Sequence, residues 1–247
     1  MRLALLADLH ANREATTACL ARLRKLGFDQ AVVLGDLVGY GADPGWAIDT
    51  TQRLVDDGAV AVLGNHDEAV VNGPDEHMHE QARLAIEWTR GQLDAAQLAF
   101  LASLPLTVFD DDRLYVHANA RAPAEWGYIS SPAAAARSLA ATTARLTFCG
   151  HVHEPALYHL RPDGGAGHFQ PRAGYPTPLA ASRRWLALPG SVGQPRDGNP
   201  AACCALLDTD AATLTFLRVP YDHDASAARI RAAGLPDAFA ARLAQGH

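Results

Sequence analysis

The sequence predicts a layered α/β fold, and three observations carry that prediction. Short apolar runs alternate with segments of helical period from Leu3 to Leu63, the pattern of strand–helix–strand units. Five apolar runs each end in a polar piece: Asp8-Leu9-His10, Gly35-Asp36, Gly64-Asn65-His66-Asp67, Val116-His117 and Cys149-Gly150-His151-Val152-His153-Glu154. The end of the chain reads instead as strands joined by short turns, which is antiparallel in character.

Taken in order, Leu3 to Ala7 is a buried strand by its Leu-rich run. A helix follows from about Asn12, with Ala15, Cys19, Leu23 and Leu26 at helical spacing and Gly27 suited to its C-terminal end. Strand two, Ala31 to Leu34, reaches Gly35-Asp36. A second helix starts after Pro44 and closes at Leu54 and Val55, and strand three runs from Ala59 to Leu63. Glu68 to Pro105 breaks the alternation. It holds a helix near Glu80 to Gly91 and another opened by Asp94, with Gln97 three residues on, a capping-box spacing. It is expected as a helical excursion over one rim of the strand ends.

Strand signals return at Thr107 to Phe109 and Leu114 to His117. Ser131-Pro132 supplies an N-cap and a first-turn proline for a helix to about Ala141. Leu146 to Cys149 is the fifth apolar run. Arg161 to Arg184 is rich in Gly and Pro without period and is expected as loop. Trp185 to Leu188, Cys203 to Leu207 and Thr213 to Val219 are strand candidates, the last two joined by a turn at Asp208 to Asp210. A terminal helix covers about Ala225 to Ala233. With no repeat and no separating linker, residues 1–247 are expected to form one domain, the excursion at about 68–105 included.

The composition is that of a globular chain, 49% hydrophobic and 19% charged. A net charge of −6 argues against nucleic-acid duplex as a partner, and Arg22-Leu23-Arg24-Lys25 reads as a solvated helix face. Cys19, Cys149, Cys203 and Cys204 follow no CxxC spacing and are expected as buried free thiols. No leader and no apolar run near about 20 residues is visible. A cytoplasmic protein without membrane attachment is expected; its oligomeric state is not readable.

Each polar piece is weak alone. Asp8 and His10 stand two apart, so on a strand both would face one ion, but a helix cap plus a loop histidine reads equally well. Gly35-Asp36 often marks a turn. Asn65 offers a neutral oxygen, and adjacent His66 and Asp67 could form an acid pair. His151 and His153 place two imidazoles on one side of an extended segment. Together, carboxylate, imidazole and amide ligands suit Mn, Fe, Zn, Ni or Co without a thiolate. One carboxylate must bridge two ions, and Asp36, alone at a strand end, is the natural bridge. Two cations about 3.5–4 Å apart clamp a phosphate and acidify a water between them, so no Ser or Cys nucleophile is required.

The ordered set D-x-H, G-D, G-N-H-[DE], H and G-H-x-H resembles that of the calcineurin-like metallophosphoesterase superfamily. The segments 8–12, 35–41, 85–90 and 189–198 are similar to its small bacterial and archaeal phosphodiesterase branch. The resemblance implies a four-layer α/β/β/α sandwich of two facing mixed sheets with the site at the strand ends. It implies two divalent metal ions, Mn foremost. Asp8, His10 and His153 would hold one, Asn65, His117 and His151 the other, and Asp36 would bridge. His66 would face substrate, with Asp67 orienting it. The implied substrate is a small-molecule phosphoester, a phosphodiester before a monoester.

Three further residues are open to two readings. Asn12 is a phosphate contact or the N-cap of the first helix. Arg196 meets a phosphate oxygen or pairs with Asp197 or another acid. Tyr40 stacks on a base or does not reach substrate. Ala118-Asn119 stands where many relatives have Gly-Ser. His77, His79, His159 and His168 are expected in solvent, and Trp88 with Leu84 in core. A dinucleotide fingerprint at Gly39, Gly41 and Gly45 fails on its GxGxxxG spacing. A single-metal hydrolase or dioxygenase leaves Asn65, His117 and one more histidine without a task. A metal-binding regulatory module with little turnover stays as the alternative from another class.

Overall fold

The computed structural model describes residues 1–74 and 80–247, so His77 and His79 lie outside the described residues. In chain order the first elements are β1 (Arg2–Leu6), α1 (Arg13–Leu26), β2 (Gln30–Val33), α2 (Pro44–Asp56), β3 (Val60–Ala61), α3 (Asn65–Asn72), α4 (Glu80–Gln92) and α5 (Ala95–Ser103). Then come β4 (Thr107–Asp110), β5 (Arg113–Val116), α6 (Pro132–Ala140), β6 (Leu146–Phe148), β7 (Ala156–Leu160), β8 (Ala166–Phe169), β9 (Pro176–Pro178) and β10 (Trp185–Leu188). The chain closes with β11 (Ala202–Asp208), β12 (Thr213–Val219), α7 (His223–Ala232) and α8 (Asp237–Gln245).

The strands form two mixed six-stranded sheets, ordered β3-β2-β1-β11-β12-β9 and β4-β5-β6-β10-β7-β8. β1 pairs parallel with β2 and antiparallel with β11. Alternation along β1 builds the layers: Leu3 and Leu5 pack between the sheets with Val32, Phe148 and Phe216. Ala4 and Leu6 face the helices with Cys19, Leu23 and Ile48. On the far side Leu114, Val116 and Leu186 pack under α6 through Ala135 and Leu139. The result is helix, sheet, sheet, helix, the four layers expected.

Local chemistry explains the helix ends. Asn12 caps α1 by accepting the Ala15 N–H at 3.1 Å, and Ser131 caps α6 at Ala134 N, 3.2 Å. The Asp94–Gln97 capping box forms in both directions, at 2.8 and 3.2 Å. All four cysteines are buried free thiols, and Arg22, Arg24 and Lys25 are exposed. Among the described residues no helix is long and apolar enough to cross a membrane.

Several expectations need correction. The stretch Arg161 to Arg184 is not all loop. It carries β8, paired with β7, and the edge strand β9, whose Pro176, Thr177 and Pro178 lie opposite Thr215, Leu214 and Thr213 of β12. Proline is tolerated at an edge because no neighbour requires its missing N–H. The excursion also does more than cover a rim: Ile86 and Leu101 are buried in the helical layer on the first sheet. α3, unread in the sequence, begins at Asn65 itself. Trp88 is half-buried beside α7 and α8, whereas Leu84 is exposed. His168 is exposed as expected, but His159 is half-buried against Trp185, ring centroids 5.3 Å apart.

Candidate metal centre

Five chain segments converge where β1, β2, β3, β5 and β6 end. Their backbone is unusual: Asp8, His10, Ala11, Asp36, Tyr40, His151 and His153 all have positive φ, between 46° and 68°. Non-glycine residues rarely adopt that region, and such residues cluster where a site over-determines the chain. The expected i, i+2 strand geometry is therefore not what aims Asp8 with His10, nor His151 with His153; each pair lies on a left-handed turn beyond its strand.

The loops then pack backbone on backbone. A Cβ at Gly64 would lie 2.2 Å from Asp36 N, and one at Gly193 would lie 2.0 Å from Leu9 O. Ser191 fixes the second contact by donating to Asp8 O at 2.9 Å, while Gly193 N donates to the same oxygen at 2.9 Å. Glycine is the residue these approaches admit.

Asp8, His10, Asp36 and His153 form one group, and Asp36, His117 and His151 another, with one ligand atom from each residue within 4.8 Å of the others in its group. Asp36 belongs to both. Its Oδ2 lies 3.3 Å from His117 Nε2 and 3.7 Å from His10 Nε2, and its Oδ1 accepts His66 N at 2.9 Å. Asn65 Oδ1 is 3.1 Å from His117 Nε2, and His151 Nδ1 is 3.2 Å from the same nitrogen.

All four imidazoles use the outer nitrogen on a backbone carbonyl. His10 Nδ1 meets Val38 O at 3.1 Å, His117 Nδ1 meets Leu34 O at 2.7 Å, and His153 Nδ1 meets Gln194 O at 2.6 Å. His151 Nε2 meets Trp126 O at 2.8 Å. Donation outward fixes the tautomer and leaves a lone pair directed inward, the usual outer support of metal-binding histidines. His10 Nε2 and His153 Nε2 then stand 3.1 Å apart, lone pair toward lone pair. Asp8 Oδ2 is buried with no hydrogen-bond partner, although Oδ1 accepts His151 N at 2.8 Å. Cations satisfy both features, so this donor set fits divalent metal.

The electrostatics agree for His10, His151 and His153, and set His117 apart as the one that would release a proton on binding metal. Burial holds His10 and His153 well below the ordinary imidazole range, and burial with His117 nearby takes His151 down to about 4. Burial also opposes charge on His117, but Asp36 beside it more than offsets this and raises it to about 9. Burial alone would raise Asp36; His117 and His66 hold it well below the usual carboxylate range. Burial and the Asp36 charge push Asp8 up to about 7.

The remaining predicted residues divide. His66 is buried, its ring centroid 5.0 Å from His10 and 4.5 Å from Tyr40. Its Nδ1 has no partner and lies over Gly39, where a Cβ would come within 2.6 Å. Asp67 does not orient that ring. Its Oδ1 accepts Leu37 N and Val38 N at 2.9 and 3.2 Å, and its Oδ2 accepts Gly64 N at 3.0 Å, so it braces the Asp36 loop. Asn12 is likewise committed as the helix cap: its amide donates to Gly193 O at 2.8 Å, and its oxygen also accepts from Ser226 at 2.9 Å. No polar atom of Asn12 is left for substrate. Arg196 does not pair with Asp197, which Arg218 takes; it donates to Gln194 Oε1 at 3.0 Å and lies 5.8 Å over the Tyr40 ring.

Two aromatic residues went unread. Trp126 supplies the carbonyl under His151 and donates its indole N–H to Glu68 at 2.9 Å. Tyr128 stacks on His151, centroids 4.0 Å apart at 15°. The available signal was Trp126-Gly127-Tyr128, two aromatics around a glycine soon after His117.

The chain matches the calcineurin-like phosphoesterase superfamily domain over residues 1–212, and it belongs to that superfamily. An uncharacterised protein of Methanocaldococcus jannaschii is 30% identical over 249 residues, spanning 99% of this chain and 98% of the relative. The fold is similar to that of a metallophosphoesterase from Sphaerobacter thermophilus, with TM-score 0.88, 37% identity and coverage of 100% of this chain and 99% of that one. A hypothetical protein of Pyrococcus horikoshii OT3 shares the fold at TM-score 0.79 and 18% identity, over 100% and 98% of the two chains.

Proposed function

We propose that this chain is a metal-dependent phosphodiesterase whose residues 1–247 act as one unit around two divalent cations, Mn foremost. The observation that supports this most is the sharing of Asp36 by two groups of inward-facing imidazoles and carboxylates. Asp8, His10 and His153 would hold one cation, His117, His151 and Asn65 the other, with Asp36 between them. Bound there, the pair would polarise the phosphoryl oxygens and supply a hydroxide at neutral pH for in-line attack with inversion.

This chain's own residues do the rest. The four backbone carbonyls aim the imidazoles, which removes the cost of reorienting them, while burial keeps His10, His151 and His153 neutral and His117 would give up its inner proton to a bound cation. His66, held neutral by burial, is the polar side chain beside the ligands that is not spent on them. Once protonated it would give that proton to the leaving oxygen and return to the neutral ring; while neutral, its N–H would steady phosphoryl charge. Arg196 stands over Tyr40 as the basic side chain next to the first group, placed to meet a phosphate oxygen. No phosphoenzyme is required. The proposed activity is cytoplasmic and on small esters, a net charge of −6 disfavouring duplex phosphates.

The test is hydrolysis of bis-p-nitrophenyl phosphate with added Mn²⁺ and, in parallel, with excess EDTA. Turnover removed by EDTA and restored by Mn²⁺ is expected. Absence of turnover with every divalent metal would favour a binding module on the same fold.

A further inference from the structure

We infer that the loop from Asn119 to Tyr128, with α6, forms a second subsite. It would take an ester whose ring-bearing part carries another anionic group, as in a nucleoside bisphosphate or an oligonucleotide end. This rests on the phosphoester reading above. Two clefts, of about 460 and 360 Å³, meet at Tyr128, which lines both. The first opens on the candidate metal centre through Asn65 and His151 and is walled by Trp126. The second is lined by Arg121 and Arg137, with Glu125 as its one carboxylate. Moving outward, the order is therefore metal ligands, aromatic ring, cationic pair.

Tyr128 keeps one face on His151 and remains 56% exposed, so its other face is available to a planar ring. Stacking of that kind accepts any base because every base has a π-face. Arg121 and Arg137 are exposed and enter no ion pair among the described residues. Two guanidinium groups against one carboxylate leave net positive charge in an otherwise acidic protein, and they bind anionic oxygens with directional N–H donors.

The loop is also held in shape before any ligand arrives. Asn119 accepts from Arg121 N and Ala122 N, both at 3.0 Å, and donates to Gly127 O at 2.9 Å. Glu68 and His151 fasten Trp126 from the other side. This gives a task to the Ala118-Asn119 departure: the asparagine builds the turn that presents Arg121 and Tyr128.

The experiment is calorimetric titration of the Mn²⁺-loaded full-length protein with adenosine 5′-monophosphate and with adenosine 3′,5′-bisphosphate. The bisphosphate is expected to bind about tenfold more tightly, the scale of one charge-assisted contact. Arg121→Ala with Arg137→Ala should collapse that ratio to within about twofold, and the double lysine variant should restore part of it. Tyr128→Ala should weaken both ligands by about tenfold, as loss of one stacking contact does. Equal affinity for the two ligands in the wild type, an unchanged ratio in the double alanine variant, or unchanged binding in Tyr128→Ala would each overturn the subsite. Turnover of bis-p-nitrophenyl phosphate reports separately on the phosphodiesterase reading, so either idea can fail alone.

Discussion

At Asp36 one carboxylate oxygen faces His117 at 3.3 Å and His10 at 3.7 Å while the other accepts the His66 N–H. Asp36→Asn keeps the shape and removes the charge. Metal content is expected to fall below two per chain and turnover by at least about a hundredfold; elemental analysis beside the diester assay checks both. His66→Ala should leave metal content intact and lower turnover by about 10²–10⁴-fold for a poor leaving group, less for a good one. An equal loss for both would assign His66 to phosphate positioning. Asp67 predicts differently, because its oxygens serve three backbone N–H groups. Asp67→Asn turns one acceptor into a donor facing Gly64 N, so urea unfolding should show a loss of about 1–3 kcal/mol. The identities of these residues were legible in the sequence, since residue type and order carry the ligand chemistry. Their geometry was not: a positive φ at Asp8, His10, His151 and His153 has no signature in the letters, because these residue types mostly avoid it.

Among the elements, strands with long apolar runs and helices with caps were legible within a residue or two. β1, β2, α1 and α6 announce themselves by Leu and Val runs, Asn12 and Ser131. β9 was hidden by its own prolines, and α3 because Gly64-Asn65-His66-Asp67 reads as chemistry before it reads as a helix start. α8 opens after Gly234-Leu235-Pro236 without a side-chain cap, so nothing marks its beginning. The glycines between elements were visible as motif letters, but their reason is contact. Gly193→Ala would drive a methyl into Leu9 O, shifting the segment that bears Gln194. Lower melting temperature and weaker metal binding are both expected, since Gln194 O holds His153. Retention of both would show that the loops can part without cost.

On the scale of the whole molecule, the first sheet is closed from both ends of the chain: β1 lies between β2 and β11, pairing Leu3 with Leu207 and Leu5 with Ala205. The two-sheet architecture was legible through the family resemblance, and superfamily membership supports it across residues 1–212. The aromatic loop and its arginines follow no period or spacing, and no general rule reads such a loop in advance. The central position of β1 also sets an order of events in synthesis. Asp8 and His10 leave the ribosome first, yet the carbonyl that aims His153 belongs to Gln194, and the strand that completes the sheet beside β1 begins at Ala202. Non-local pairings of this kind are slow to form. A nascent chain therefore carries most of its ligands for much of its synthesis without a finished cradle. Binding by the group that includes His153 is therefore expected only after Gln194 has been made.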